Sequence, residues 1–274
     1  MKIDVCICTF RRPSVVQTLE SIERAVLPNE VDLEVLVVDN DEKPSARERT
    51  TTAAENMSIP VRYLHVSGAN ISIARNACLE NTQAEWLAFL DDDETVEVNW
   101  LLELLKRQKE TGADAVFGHS VADYEPDAPE WIQAGDFHSQ FAQVRGGVVE
   151  TGHTCNALVR WTNTPWQGER FDLERGRSGG EDTAFFFRLR DHGAHFAIAD
   201  RALVHEPVSE ERMKLAWLTK RRFRVGQSYA ASAVSLSQRV VLFGSAFFKS
   251  AYCFICAVLT SFTHRGPYWL LRGI

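Results

Sequence analysis

Along the first 120 residues, short apolar runs alternate with stretches of helical period. Ile3 to Thr9 has the length and character of a buried strand, and Pro13 to Arg24 then sets Val15, Val16, Leu19 and Ile22 on one helical face. Leu33 to Asp39 predicts a second strand, Ser45 to Asn56 a polar helix, and Val61 to Val66 a third strand. Ser72 to Asn81 predicts a helix with a serine cap, and Trp86 to Leu90 a fourth strand. Asn99 to Thr111 predicts an amphipathic helix closed by Gly112, and Ala115 to Gly118 a fifth strand. Strands and helices alternating at this spacing predict an α/β fold, a mainly parallel sheet flanked by helices on both faces.

Beyond residue 120 the texture changes. Pro126, Pro129, Pro165 and several glycines break the pattern into loops and short strands, of which Thr154 to Arg160 is the clearest. Glu181 to His192 predicts a helix, His195 to Ile198 a strand, and Ser209 to about Ser235 a basic helical stretch. The expected organisation is one domain over 1–208, divided into 1–120 and 121–208, and a C-terminal basic and apolar helical tail over 209–274.

Charge sharpens that division. The chain of 274 residues carries a net charge of −7, but residues 212–274 hold ten Lys and Arg and no acid. The first 211 residues therefore hold 20 basic and 37 acidic residues, −17 against +10 in the tail. Such asymmetry points to a basic surface for an anionic partner, nucleic acid or anionic lipid. Val240 to Phe262 is mainly apolar and interrupted by Lys249, which favours lipid. The six cysteines follow neither a disulfide framework nor a zinc spacing, and read as buried, reduced cysteines of a cytosolic protein. Met1 to Asp4 enters a strand directly, so no signal peptide is expected ahead of it.

Candidate chemistry collects where strands end. Phe89-Leu90-Asp91-Asp92-Asp93-Glu94 closes an apolar strand with four acids, an arrangement that calls for a cation. Oxygen-rich clusters suit Mg²⁺ or Mn²⁺, although a solvated acidic turn before the next helix accounts for the same pattern. Val37-Val38-Asp39-Asn40-Asp41 repeats acids at a strand end, where ligands of open α/β sheets bind, and loop solvation is its alternative. Thr9-Phe10-Arg11-Arg12-Pro13 adds a hydroxyl, a ring and two cations to the same rim. Ser178-Gly179-Gly180-Glu181-Asp182 puts an acid pair at a helix start, as a general base or as ordinary capping. His205 follows Ala202-Leu203-Val204; a lone histidine there is more often structural.

In this order, Cys8 to Pro13, Val38-Asp39-Asn40, Asn70 to Asn76, Phe89 to Asp93 and Gly180-Glu181-Asp182 resemble family 2 inverting glycosyltransferases of the GT-A fold. The resemblance spans residues 3 to 226. Ser72 to Asn76, Gly135 to Ser139, Thr154 to Leu158 and Lys220 to Arg224 resemble, more narrowly, the succinoglycan-type exopolysaccharide β-glucosyltransferases of rhizobia.

The resemblance implies a donor site in which Thr9 and Asp39 hold a uracil ring, with Arg11 and Arg75 lining the nucleotide pocket. It puts Asp91 and Asp92 at the ribose, and Asp93 and His205 on a Mn²⁺ or Mg²⁺ that bridges the donor diphosphate. Asp182 takes the place of the general base, and Asn156, Trp166, Glu181 and Arg221 fall on the acceptor side. Trp131 and Trp161, like Trp166, fit either sugar stacking or buried packing. The partners so implied are a UDP-sugar, a lipid-linked oligosaccharide and the cytoplasmic surface of the inner membrane, held peripherally and without nucleic acid. Asn40 departs from the VDDxS pattern of many members, and the Gln-x-x-Arg-Trp signature of processive synthases is missing, which favours single-sugar addition. A nucleotidyltransferase is the competing enzyme class, but Cys8 to Pro13 lacks its glycine-rich phosphate loop. A nucleotide-sugar or polysaccharide binding module without catalysis is the other alternative, against which Asp93 and Asp182 both count.

Overall fold

The computed structural model describes residues 1–142, 144–230, 235–263 and 265–274. Strand β1 (Lys2–Thr9), helix α1 (Val15–Glu23), β2 (Asp32–Asp39), α2 (Arg47–Ala54), β3 (Val61–His65), α3 (Ile71–Asn81) and β4 (Trp86–Asp91) follow one another as the alternation predicts. A short β5 (Thr95–Val96), α4 (Trp100–Thr111) and β6 (Ala115–Asp123) complete the first part. Then come α5 (Glu130–Gly135), a small ribbon of β7 (Val144–Arg145) and β8 (Val148–Val149), β9 (Asn156–Arg160), α6 (Glu181–Asp191) and β10 (Phe196–Pro207). Helices α7 (Leu215–Ala230), α8 (Leu236–Leu259) and α9 (Arg265–Arg272) end the chain.

Eight strands form one sheet in the order β3-β2-β1-β4-β9-β6-β10-β5. The sheet is mixed: β1 to β4 pair in parallel, whereas β9 runs antiparallel to both β4 and β6, and β10 antiparallel to β5. Successive residues of a strand face opposite sides of a sheet, and both sides here are covered. Ile3, Val5 and Ile7 join α1 and α4 on one side, through Leu19, Ile22 and Trp100. Cys6, Leu36 and Phe89 face the other, against Ala74 and Cys78 of α3 and Phe185 of α6. This double coverage explains why the strands are continuous apolar runs in sequence.

Several local expectations needed adjustment. Helix α3 is capped by Asn70, whose side chain accepts from the Ser72 N–H, so Ser72 is a helical residue and not the cap. Gly112 ends α4 with φ +66°, the left-handed conformation glycine adopts freely. Strand β10 is 12 residues long, three times the run expected, because Asp200 and Arg201 interrupt its apolar pattern without ending it.

By contacts the chain divides into residues Met1–Val121 with Gln140–Glu206, and Ala122–Ser139 with Pro207–Ile274. Residues 122–139 thus group with the C-terminal helices, where the sequence pattern put them with the acceptor half of the first domain. The cause is a separate apolar core in which Ile132 and Phe137 pack with Met213, Leu218 and Leu271. In this second unit the His138 ring stacks on Trp217, accepts or donates at the Tyr124 hydroxyl and at the Arg212 carbonyl, and is buried. Helix α8 is by length and composition able to cross a membrane. Cys253 is its one buried position among the described residues, while Phe243, Phe248 and Leu259 are exposed. Residues 231–234, part of the expected basic stretch, lie outside the described residues.

Candidate active site

Parallel pairing aligns the carboxyl ends of three strands. Thr9 sits opposite Asp39 in the β1–β2 register, and Cys8 opposite Asp91 in β1–β4. A cavity of about 350 Å³ opens at this edge, and its wall includes Thr9, Arg12, Asn40, Arg75, Asp91 and Asp92. A cleft beyond the carboxyl ends of strands is the expected ligand position in such sheets.

Asp39 is placed behind that wall. It is fully buried and accepts from the backbone N–H groups of Asp41 and Ala46 at 3.0 and 2.7 Å and from the Tyr63 hydroxyl at 2.7 Å. Its carboxylate fixes the turn after β2, and Asn40 reaches the cavity instead. A similar one-residue exchange affects the arginines. Arg11, at φ +61°, turns outward and pairs with Asp41 at 2.8 Å, drawing that carboxyl down to about 2. Arg12 is the residue that enters the cavity, where its guanidinium spans Asp92, at 3.1 Å, and Asp93.

Arg75 ties the strand ends to helix α6. It is buried, donates to Glu181 at 2.5 Å and to Asp91 at 3.5 Å, and lies over the Phe171 ring. Burial would push its proton off, but the charges of Asp91, Glu181 and Asp182 outweigh that and hold it firmly cationic. The same burial pushes Glu181 up despite Arg75. Glu94, the last of the four acids that follow the β4 apolar run, is buried and accepts from the Asp91 N–H at 3.1 Å and the Ser120 hydroxyl at 2.7 Å. Desolvation and the neighbouring Asp91 raise its carboxyl well above the usual range.

At Asp182 the balance runs the other way. Burial pushes the carboxyl up, but a hydrogen bond and charge from His153, the charge of Arg75 and the Thr183 N–H together bring it to about 2. His153 was not singled out by any motif, and its Nδ1 lies 3.5 Å from Asp182 Oδ2.

Asp93 precedes β5, and β5 pairs with β10 so that Thr95 faces His205. His205 Nε2 lies 3.3 Å from Glu97 Oε1 and makes further interactions. Burial, opposed by Arg12 and helped by the adjoining acids, pushes Asp93 up to about 6. Among the described residues no three metal-type ligands gather on one point. The carboxylates of Asp92 and Asp93 form a partial, oxygen-rich ligand set, which fits ions that use one or two carboxylates and complete their shell on a substrate diphosphate.

Two residues expected on the acceptor side are buried. Asn156 is buried in the middle of the sheet; it accepts from Trp100 Nε1 at 2.8 Å and donates to the carbonyls of His119 and Ala202. Trp166 is buried in the core on the α6 side and donates to the Arg160 carbonyl, and Trp161 is buried beside it. The side chains of Asn156 and Trp166 are both held in the interior by these bonds. Arg221 belongs to the second unit, where its guanidinium lies 5.4 Å from the Trp217 ring centroid.

Comparison with known proteins adds to this geometry. Residues 4–162 match the sequence profile of Glycosyl transferase family 2. The chain is 45% identical over 265 residues to the succinoglycan biosynthesis protein ExoM of Rhizobium meliloti (strain 1021), covering 94% of this chain and 85% of that protein. The fold is shared with the mannosyltransferase PcManGT of Pyrobaculum calidifontis, solved with GDP-Man and Mn²⁺, at TM-score 0.66, 15% identity and coverages of 99% and 85%. S. aureus TarS residues 1–349 with UDP-GlcNAc match at TM-score 0.57 and 16% identity, over 88% of this chain and 69% of that one. The GT-A architecture expected from the motifs is therefore the observed one, and the chain belongs to glycosyltransferase family 2.

Proposed function

We propose that this glycosyltransferase moves a single sugar, glucose from UDP-glucose, onto a hydroxyl of a lipid-linked oligosaccharide during exopolysaccharide synthesis, with inversion at the anomeric carbon. The observation that carries the reading is the Asp91–Arg75–Glu181 bridge, which sets the acidic strand edge beside the acid pair of α6. A donor-side anion site and an acceptor-side base in one cleft are what a one-step displacement needs. The 45% identity to a succinoglycan biosynthesis protein supports the pathway. The nucleotide sugars named for TarS and PcManGT support the donor class.

In this reading Thr9 and Asn40 hold the base, with Asp39 fixing the turn behind them, and Asp91 and Asp92 meet the ribose. Asp93, with His205, would hold Mn²⁺ or Mg²⁺, an ion that supplies Lewis-acid stabilisation of the leaving diphosphate. Arg12 and Arg75 put fixed positive charge on the side where that negative charge develops, preorganised in a partly desolvated cleft. Proton removal from the acceptor hydroxyl depends on Asp182, which is ionised at neutral pH. Attack from the face opposite the leaving group then inverts an α-linked donor to a β-linked product without a covalent intermediate. The test is UDP release from a panel of UDP-sugars with Mn²⁺ present. UDP-glucose should be consumed fastest with the lipid-linked acceptor, and a panel with no turnover rejects the donor assignment.

The second unit supports a place on the cytoplasmic face of the inner membrane. Helix α7 mixes Lys220, Arg221 and Arg224 with Trp217 and Phe223, and α8 exposes apolar residues around its circumference. Lys249 in the middle of α8 would cost about 2.5–3.5 kcal/mol at the centre of a bilayer, which favours an interfacial position. Each basic residue near an anionic leaflet contributes on the order of 1 kcal/mol. The full chain should float with anionic vesicles and partly release in high salt, while a chain truncated at Arg212 stays in the soluble fraction. Failure of the full chain to float at low salt rejects peripheral binding.

A further inference from the structure

The acidic turn after β4 is met by a cation that belongs to the chain itself. Arg12 Nη1 lies 3.1 Å from Asp92 Oδ1 and also contacts Asp93 Oδ2, so one guanidinium nitrogen is shared between two carboxylates. The partners differ in their access to water. The Asp92 and Asp93 side chains are 7% and 19% exposed, whereas that of Arg12 is 50% exposed. Two largely buried carboxylates side by side are unfavourable without a positive neighbour. The guanidinium is under no such constraint, because water reaches half of it. An ion pair with one partner so exposed is weak enough to be replaced.

The chain around Arg12 holds its root and leaves its head group free to change partners. Thr9 ends β1 in register with Asp39, and Cys8 with Asp91, so the backbone up to Thr9 is part of the sheet. Arg11 then adopts φ +61° and is bound to Asp41 through Nε at 2.9 Å and Nη2 at 2.8 Å. Pro13 follows with its φ fixed by the ring. Between these anchors the Arg12 side chain lines the same cavity as Asn40, Arg75 and Asp91, and it moves off the carboxylates without leaving the cleft. Arg75 is the contrasting case: it is buried, bonded to Glu181 on one side and Asp91 on the other, and keeps its place.

We propose that Arg12 is an exchangeable counter-cation, which holds the Asp92 and Asp93 oxygens until a divalent ion takes them and then passes to the diphosphate of the donor. This rests on the reading of Asp93 as an ion ligand given above, and adds a competition which that reading does not contain. A guanidinium and a divalent ion seek the lone pairs of the same carboxylates, and their like charges repel each other there. Arg12 therefore opposes the ion in the absence of nucleotide. A nucleoside diphosphate reverses that balance, because its oxygens offer the guanidinium a bidentate partner of higher charge. Ion and nucleotide then bind with positive coupling, and by linkage each strengthens the other by the same factor. The cleft thus selects a divalent ion together with a diphosphate over the ion alone, and a positive charge stays at this edge in both states.

The experiment measures Mn²⁺ binding directly, from the electron paramagnetic resonance signal of free Mn²⁺, for the parent chain and Arg12→Met, each with and without saturating UDP. Without UDP, Arg12→Met should bind Mn²⁺ about three- to fivefold more tightly than the parent, the scale of a displaced, half-exposed ion pair. With UDP the order should reverse, since the variant lacks the cation that supports the diphosphate. Arg12→Lys keeps the charge but meets its partners as a point, so it should show the same two signs at smaller size. That variant carries the test if Arg12→Met fails to fold. A gain of the same factor with and without UDP overturns the proposal, because loss of a bystander positive charge acts alike in both states. Unchanged or weaker Mn²⁺ binding without UDP overturns it as well. A parent chain that binds no Mn²⁺ even with UDP rejects the reading of Asp93 as an ion ligand, and the exchange with it.

Discussion

Asp182→Asn is expected to cut transfer by about 10²–10⁴-fold while leaving the fold and donor binding intact. The substitution is isosteric, and an amide oxygen can still accept the Thr183 N–H that now meets Oδ1. It removes the negative charge that faces His153 and Arg75, and with it the capacity to stabilise a proton arriving at that edge. The residues proposed to hold the donor lie on the strand-end side of Arg75, so binding of a UDP-sugar should change little. The pH window is favourable for the comparison. The Asp182 carboxyl is depressed, so its contribution to stability is complete above the unfolded carboxyl's range and fades only as pH falls towards 2. Assays at neutral pH therefore compare an ionised carboxylate with a neutral amide and nothing else at this position. Near-normal turnover on the true acceptor would show that Asp182 takes no part in proton removal.

Removal of the divalent ion is expected to be at least as severe. Excess chelator should abolish transfer, and Mn²⁺ or Mg²⁺ should restore it. Asp93→Ala should weaken UDP-sugar binding and lower turnover by about 10²-fold or more, the usual cost of one lost oxyanion-stabilising element. Asp93 sits beside Asp92 under the Arg12 guanidinium, so its loss also leaves Arg12 with one carboxylate partner in place of two. His205→Ala should show a clear but smaller loss, since His205 already has a partner in Glu97. Undiminished transfer in excess chelator rejects the metal reading outright.

Much of the donor edge was legible in the sequence because it follows from strand ends. A strand buried on both faces reads as an apolar run, and the polar residues that stop it must lie at the sheet's edge; β2 and β4 end on Asp39 and Asp91, and β1 on Thr9 ahead of two arginines. Single-residue facing was not legible. Arg11 and Arg12 are adjacent and chemically alike, and only the left-handed φ at Arg11 decides which one enters the cavity. Asp39 turns away from the cavity and Asn40 lines it for a different reason, because the Asp39 carboxylate binds the N–H groups of the turn after β2. The resemblance put Asn156 and Trp166 on the acceptor side, Asn156 within an expected strand and Trp166 as fitting either stacking or burial. Asn156 is buried because β9 runs through the middle of the sheet, and Trp166 because it packs in the core on the α6 side, neither of which a local pattern records. His153 has no sequence signal at all, since its partner lies 29 positions further along the chain on another element.

The position of β9 also bears on how the chain can be made. Residues 2–91 contain all four parallel strands, β1 pairing with β2 and β4 and β2 with β3, so this half-sheet holds its own partners within the first third of the chain. The next strand to emerge in full length, β6, cannot dock on it, because β9 must come between β4 and β6 and is synthesised some 40 residues later. Until then the backbone of β4 from Trp86 to Leu90 presents an unpaired, apolar edge, the kind of surface on which nascent chains associate wrongly.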